Sequence, residues 1–230
     1  MKLTKKHEKK IFSQFGEDGI IETIFNKIGT TNKRFIEIGI EDGRECNTRN
    51  LIEKYGWKGT MIECDKRGSK KANKFYKNYS VKVIHDFITP SNINKYSNKK
   101  LDLFSIDIDG NDYWVLEKMK SLPRVMIIEY NCTLFNKFLV SDILFNKSPK
   151  KHPFWLYYGA GLNALIKLGK KKGYKLVYAN GTNAFFIRKD IKGIKELPFK
   201  EGYQENLGRR RWGTPLQQFK LIKNFPFIEV

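Results

Sequence analysis

Two clusters of oxygen-bearing side chains stand out, each at the end of an apolar run. Leu101–Ile106 leads into Asp107-Ile108-Asp109-Gly110-Asn111-Asp112, and Val125–Ile128 leads into Glu129-Tyr130-Asn131. Carboxylates and a carboxamide are hard ligands suited to Mg²⁺ or Mn²⁺. Asp107, Glu129 and Asn131 are the metal set expected here. A cation so held would lower the pKa of a bound hydroxyl. Asp107 is also a candidate catalytic residue. His152, in a long aromatic loop, is a second, as a general base near its free pKa. The first cluster is not a calcium-binding loop: position six would need glycine and is Asp112, and position twelve would need glutamate and is Lys118. It also reads as the metal-holding Asp-x-Asp of a glycosyltransferase, through Asp107 and Asp109.

Elements able to position these groups recur along the chain. Arg34–Gly39, Gly59–Glu63, Ser80–His85, Leu101–Ile106 and Val125–Ile128 read as strands, with helical patterns between them. That alternation predicts an α/β domain with a parallel sheet. Residues 7–29 read as a helix, starting either at 7 or at the polar, glycine-containing Ser13–Asp18, where Ser13 is a fair N-cap. Tyr174–Tyr178 and Asn183–Arg188, joined across Asn180-Gly181, predict an antiparallel hairpin. The segment 132–157 breaks the rhythm; its aromatics and prolines read as a lid. One domain over 1–230 is expected, its core at about 11–190. A basic aromatic arm, 199–230, packs back on the domain or on a partner subunit, as in a homodimer.

Three further strand ends are acidic. Glu37-Ile38-Gly39-Ile40-Glu41-Asp42-Gly43 is a glycine-bearing turn of the kind that lets a ligand approach the backbone. It lacks the GxGxxG fingerprint and the P-loop lysine. Its acidic groups suit a cationic ligand better than a pyrophosphate, and S-adenosylmethionine carries a sulfonium and an amine. Glu63 is placed to accept from ribose hydroxyls and Asp86 to reach an adenine amino group.

The net charge of +20 favours anionic partners, although lysine and asparagine are abundant throughout the 230 residues. Lys70, Lys71, Lys74, Lys77 and Lys170–Lys172 read as solvated helix faces. Arg209–Arg211 beside Trp212 reads as the set most apt to meet an anion. No aromatic RNA-reading motif is present, which ranks an RNA methyltransferase last. No apolar run reaches the ~20 residues of a membrane span, and the N-terminus has no secretory pattern. Three scattered cysteines, Cys46, Cys64 and Cys132, fit a reducing, cytoplasmic setting.

The motifs Ser13-Gln14-Phe15-Gly16-Glu17-Asp18, Phe35-Ile36-Glu37-Ile38-Gly39 with Asp42-Gly43, Ile106-Asp107-Ile108-Asp109-Gly110, Ile127-Ile128-Glu129-Tyr130-Asn131 and Asn183–Arg188 occur in this order. Together they resemble class I S-adenosylmethionine-dependent methyltransferases, and more closely the FkbM-like group, over roughly residues 11–190. The resemblance implies a Rossmann-like seven-stranded sheet, mostly parallel with an antiparallel last strand and helices on both faces. It implies methyl transfer to an oxygen, on a hydroxyl of a sugar, sugar nucleotide or glycan terminus. It places Gln14, Glu37, Gly39, Asp42, Gly43, Glu63, Asp86 and Asp107 at the cofactor. Asp107, Glu129 and Asn131 fall on the metal positions of Mg²⁺-dependent O-methyltransferases.

Overall fold

The structure is a computed structural model that describes residues 1–97, 100–142 and 155–230. The five expected strands are β1 (Arg34–Ile38), β2 (Lys58–Glu63), β3 (Val81–His85), β4 (Leu103–Ile106) and β5 (Val125–Glu129). The hairpin strands follow a three-residue strand β6 (Leu139–Ser141); they are β7 (Tyr174–Ala179) and β8 (Asn183–Arg188). One sheet of seven runs β3-β2-β1-β4-β5-β8-β7. β1 to β5 are parallel, and β8 is antiparallel to both its neighbours. This is the Rossmann-like sheet that the motif order implies.

Side chains alternate across the central strands, and both faces are apolar. Ile36, Phe104, Met126 and Ile128 enter one cluster, while Phe35, Leu103, Val125 and Ile127 enter the other. A sheet buried on both faces shows this run of apolar residues rather than an apolar–polar alternation. One face is covered by α1 (Glu17–Ile28), α2 (Arg49–Tyr55) and α3 (Lys66–Phe75). The other is covered by α4 (Ile93–Tyr96), α5 (Asp112–Lys118) and α6 (Leu162–Lys171). The chain winds outward from β1 to β3, then crosses back to lay β4 on the other side of β1. That reversal opens a crevice above the C-terminal ends of β1 and β4, where such sheets bind ligands.

The helix expected over 7–29 begins only at Glu17. Gly16, in left-handed backbone at φ 102°, is the N-cap. Ser13 is not the cap, yet its hydroxyl still accepts from the Asp18 N–H at 3.1 Å. The Asp18 carboxylate explains the shortfall. Its Oδ2 accepts from the N–H groups of Ile11, Phe12 and Ser13 and from the Ser13 hydroxyl at 2.7–2.9 Å. Residues 11–13 therefore spend their donors on a side chain instead of a helix.

The opposite end of the sheet is tied by Asp102, which is fully buried. It accepts from the N–H groups of Thr31, Asn32 and Lys33, from the Thr31 hydroxyl, and from Arg124 at 3.1 Å. Burial alone would raise its pKa, but the hydrogen bonds from Asn32, Thr31 and Arg124 outweigh it and hold the pKa down. Asp102→Ala strands the Arg124 cation and four further donors, for an expected loss of about 3–5 kcal/mol in urea unfolding. This contribution is full above the unfolded carboxylate pKa and is lost as pH falls through the lower folded value.

The arm packs on the domain itself. It comprises a short α7 (Phe199–Gly202), a 3₁₀ helix (Leu207–Trp212), α8 (Pro215–Ile222) and β9 (Phe227–Glu229), which pairs antiparallel with β6. Ile222, Phe219 and Phe227 join Leu134 and Tyr157 in a third apolar cluster. Among the described residues no helix is long and apolar enough to cross a membrane.

Candidate active site

A cavity of about 540 Å³ occupies the crevice. Its wall runs from Asp86 and Glu63 at β3 and β2, past Gly39, to Asp107 and Glu129 at β4 and β5, and ends at Asn183 and Arg209. Gly39, at φ 80°, admits no side chain, because a Cβ there would stand 1.6 Å from the Asp107 carbonyl oxygen. β1 and β4 thus meet backbone to backbone under the cavity.

The acids on the β1–β3 side brace this wall. Glu37 is buried, and its Oε1 accepts from the Asn47 N–H at 2.8 Å. Its Oε2 accepts from the Thr48 N–H at 3.0 Å and from the Thr48 hydroxyl. Burial still raises its pKa against those bonds. Glu63 accepts from the Glu41 and Asp65 N–H groups, both at 2.7 Å, which leaves one lone pair per oxygen for the cavity. Asp86 accepts from the Tyr96 hydroxyl, which holds its pKa down, and from the Phe87 N–H at 2.8 Å.

Gln14 lines the cavity from the loop that Asp18 gathers. Glu17 fastens that loop across the opening: Oε2 accepts from the Phe15 N–H at 2.8 Å, and Oε1 accepts from the Asn180 and Asn183 amides at 2.6 and 3.0 Å. Asp42 and Gly43, expected at the cofactor, do not line the cavity. Asp42 accepts from the Arg44 N–H at 3.2 Å. Gly43 is pressed on α3, where an added Cβ would meet Tyr76 at 2.8 Å and Ala72 at 3.0 Å. That glycine serves helix packing.

On the β4–β5 side three carboxylates converge. Oxygen atoms of Asp107, Asp109 and Glu129 lie within 4.8 Å of one another. Asp109 sits in left-handed backbone at φ 55°. The Asp112 carboxylate forms this turn by accepting from the N–H groups of Ile108 and Gly110 at 2.9 and 3.1 Å. Asp112, the first residue of α5, thus shapes the turn. Like charges this close cannot all ionise. Burial, then Asp112 and Asp109, push Asp107 up to about 8. Burial, then Asp107, push Glu129 well above the carboxylate range. Glu129 is buried, and its Oε2 has no hydrogen-bond partner.

The third metal ligand expected from the sequence was Asn131, and the structure gives it another task. Its amide donates to the Leu156 and Tyr158 carbonyls at 2.7 and 2.9 Å. Its Oδ1 accepts from the Thr133 N–H at 3.0 Å and from Arg209 at 3.4 Å. Asn131 therefore holds loops together, and Asp109 takes its place in the oxygen cluster. His152 lies outside the described residues. Sequence reasoning missed Asn183 and Asn206 on the wall; the Asn180-Gly181 turn signals a hairpin but nothing about its next strand's first side chain.

The strand order, the glycine crossing and the acid-lined crevice define a Rossmann-like α/β domain with a cavity at the switch point. No family model matches the chain, and no curated protein matches it. Solved structures similar to it include an S-adenosylmethionine-dependent methyltransferase from Clostridium acetobutylicum, at 13% identity and TM-score 0.49, covering 75% of this chain and 90% of that one. Another is the N-terminal domain of EvdMO1 in the presence of SAH and D-fucose, at 9% identity and TM-score 0.49, covering 75% and 82%. A third is a TehB-like SAM-dependent methyltransferase from Corynebacterium glutamicum, at 12% identity and TM-score 0.45, covering 75% and 87%.

Proposed function

We propose that the chain is an S-adenosylmethionine-dependent O-methyltransferase acting on a hydroxyl of a sugar, sugar nucleotide or glycan terminus. The observation that carries this reading is one cavity with two unlike halves. Backbone-braced acids line the β1–β3 half, and a carboxylate cluster lines the β4–β5 half. The first half fits the cofactor. Among the described residues it has no lysine and no glycine-rich phosphate cradle, and its acids favour a cationic ligand. Glu63 and Asp86 would accept from its hydroxyl and amino groups, and Gln14 and the Gly39 backbone would flank its amino-acid part. When bound, it supplies an electrophilic methyl group on a sulfonium.

Asp107 is the group we assign to the acceptor proton. A base is most useful when its pKa lies near the working pH, and burial among like charges puts Asp107 there. Glu129 supports it as a neighbouring carboxyl. The unpartnered Glu129 Oε2 and the convergence of three carboxylates also fit a divalent cation. Asp107, Asp109 and Glu129 would hold Mg²⁺ or Mn²⁺, which would supply Lewis-acid activation of the hydroxyl.

A glycosyltransferase would use the same Asp107 and Asp109, but its nucleotide diphosphate would face the acidic β1–β3 half. Titration calorimetry separates the two. S-adenosylhomocysteine is expected to bind at one site in the micromolar range, with or without EDTA, and UDP-glucose with Mn²⁺ is expected not to displace it. Displacement by UDP-glucose, or no heat from S-adenosylhomocysteine, would overturn the methyltransferase reading.

A further inference from the structure

Arg209 reaches the acceptor end of the cavity from the arm, and its backbone is held there. Asn206 accepts from the Gly208 N–H at 3.0 Å and donates to the Thr182 hydroxyl at 3.0 Å. The buried Gln218 donates to the Arg209 carbonyl at 3.0 Å and accepts from the Thr133 hydroxyl at 2.8 Å. The three consecutive arginines take different partners. Arg210 pairs with Glu205 at 3.3 Å, and Arg211 lies over the Trp212 ring at 4.0 Å. Arg209 faces the cavity, with its guanidinium 4.7 Å from the Tyr158 ring centre.

This guanidinium is placed as a ligand-binding group. It donates one long bond to Asn131 at 3.4 Å and also bonds the Tyr158 hydroxyl, which leaves most of its five N–H donors for a ligand. Among the described residues no carboxylate lies within 4.0 Å of it. Its charge reaches Asp109 and Glu129 and favours their ionised forms. A guanidinium serving only as their counter-ion would sit in contact with them; this one is held back on Tyr158 and Asn131. A flat, stacked arginine with donors to spare matches a carboxylate or phosphate, which takes two parallel hydrogen bonds.

A second unmet group lines the same end. Asn183 is buried and spends its amide on Glu17, leaving its Oδ1 without a partner. That oxygen would accept from a ligand hydroxyl.

We infer that the acceptor is a polyhydroxylated anion, a sugar bearing a carboxylate or phosphate, whose anionic group pairs with Arg209 while a hydroxyl donates to Asn183. The inference rests on the O-methyltransferase reading and narrows its substrate. Arg209 is then a specificity-determining residue supplied by the arm.

The test titrates S-adenosylhomocysteine-saturated protein with D-glucuronate, D-glucose 1-phosphate and D-glucose, for wild type, Arg209→Gln and Arg209→Lys. At least one anion is expected to bind, with glucose at least ~10-fold weaker, the worth of one charge-assisted hydrogen bond. Arg209→Gln should erase that preference and Arg209→Lys restore only part of it. A response to glucuronate alone identifies a carboxylate, and one to the phosphate alone a phosphate. S-adenosylhomocysteine affinity should be the same in all three proteins, which also reports that the variants fold. Three results would overturn the inference: neither anion binds, glucose binds as well as the anions, or Arg209→Gln keeps the preference. A parallel loss of S-adenosylhomocysteine affinity would assign Arg209 to the cofactor instead. Failure of wild type to bind S-adenosylhomocysteine would count against the methyltransferase reading itself.

Discussion

Gly39→Ala is expected to cost about 4–5 kcal/mol or more, in the range reserved for severe steric or polar defects. The methyl group would stand 1.6 Å from the Asp107 carbonyl oxygen and 2.8 Å from its carbonyl carbon. Both are backbone atoms, so no rotamer change relieves the overlap. The φ of 80° adds strain of its own for any residue with a Cβ. Relief requires β1 and β4 to part at their C-terminal ends. That breaks the Asp107 N–H to Ile38 carbonyl bond at 3.1 Å, the link between the two strand ends. A domain of this kind holds only ~5–15 kcal/mol in total. Urea unfolding and S-adenosylhomocysteine calorimetry on the variant check this. A wild-type midpoint together with wild-type affinity would show that the two strand ends do not approach so closely.

For Asp107→Asn, activity and stability are expected to move in opposite directions. Losing a positioned base costs on the order of 10²–10⁴ in turnover, and S-adenosylhomocysteine affinity should remain. Stability should rise, because the carboxyl is held near 8 by burial and by Asp112 and Asp109. The unfolded carboxyl titrates at ~3.9. Between those two values the folded protein keeps a proton that the unfolded chain gives up, so wild-type stability falls as pH rises from about 4 to about 8. The asparagine variant is free of this penalty. Its advantage should be absent near pH 4, grow as pH rises, and raise Tm by at least about 2–4 °C at pH 8 in EDTA, the equivalent of ~1 kcal/mol. Mg²⁺ should narrow the gap by stabilising the wild type. A variant with full turnover, or one less stable than wild type at pH 8, would remove Asp107 from this role.

The strands were legible because burial on both faces writes them as apolar runs, as in Val125–Ile128. The hairpin was legible because Asn180-Gly181 is a local signal. The false start of the first helix had a local cause, but one in which a carboxylate outcompetes helical hydrogen bonds, and residue type alone does not rank the two. Asn131 misled for a different reason. It follows Glu129 as a ligand would, yet its partners Leu156 and Tyr158 come 25 and 27 residues later. Arg209 approaches it across 78 residues of sequence. Acidic strand ends can be read one by one, whereas the loops that consume or complement them depend on how the chain returns.

β6 and β9 form a sheet of their own, outside the seven strands. Two paired strands are marginal without further packing, and this pair is secured by the Leu134–Tyr157–Ile222 cluster and a few bonds such as that from the Val230 N–H to the Phe138 carbonyl at 2.9 Å. Local opening takes its lowest-energy routes through such peripheral units, while central strands open only with the whole molecule. The arm that carries Arg209 is therefore expected to open before the strands that carry Glu63 and Gly39. One cavity is then expected to have two clocks in hydrogen exchange: its acceptor end opens at the rate of the arm, and its cofactor end at the slower rate of the sheet.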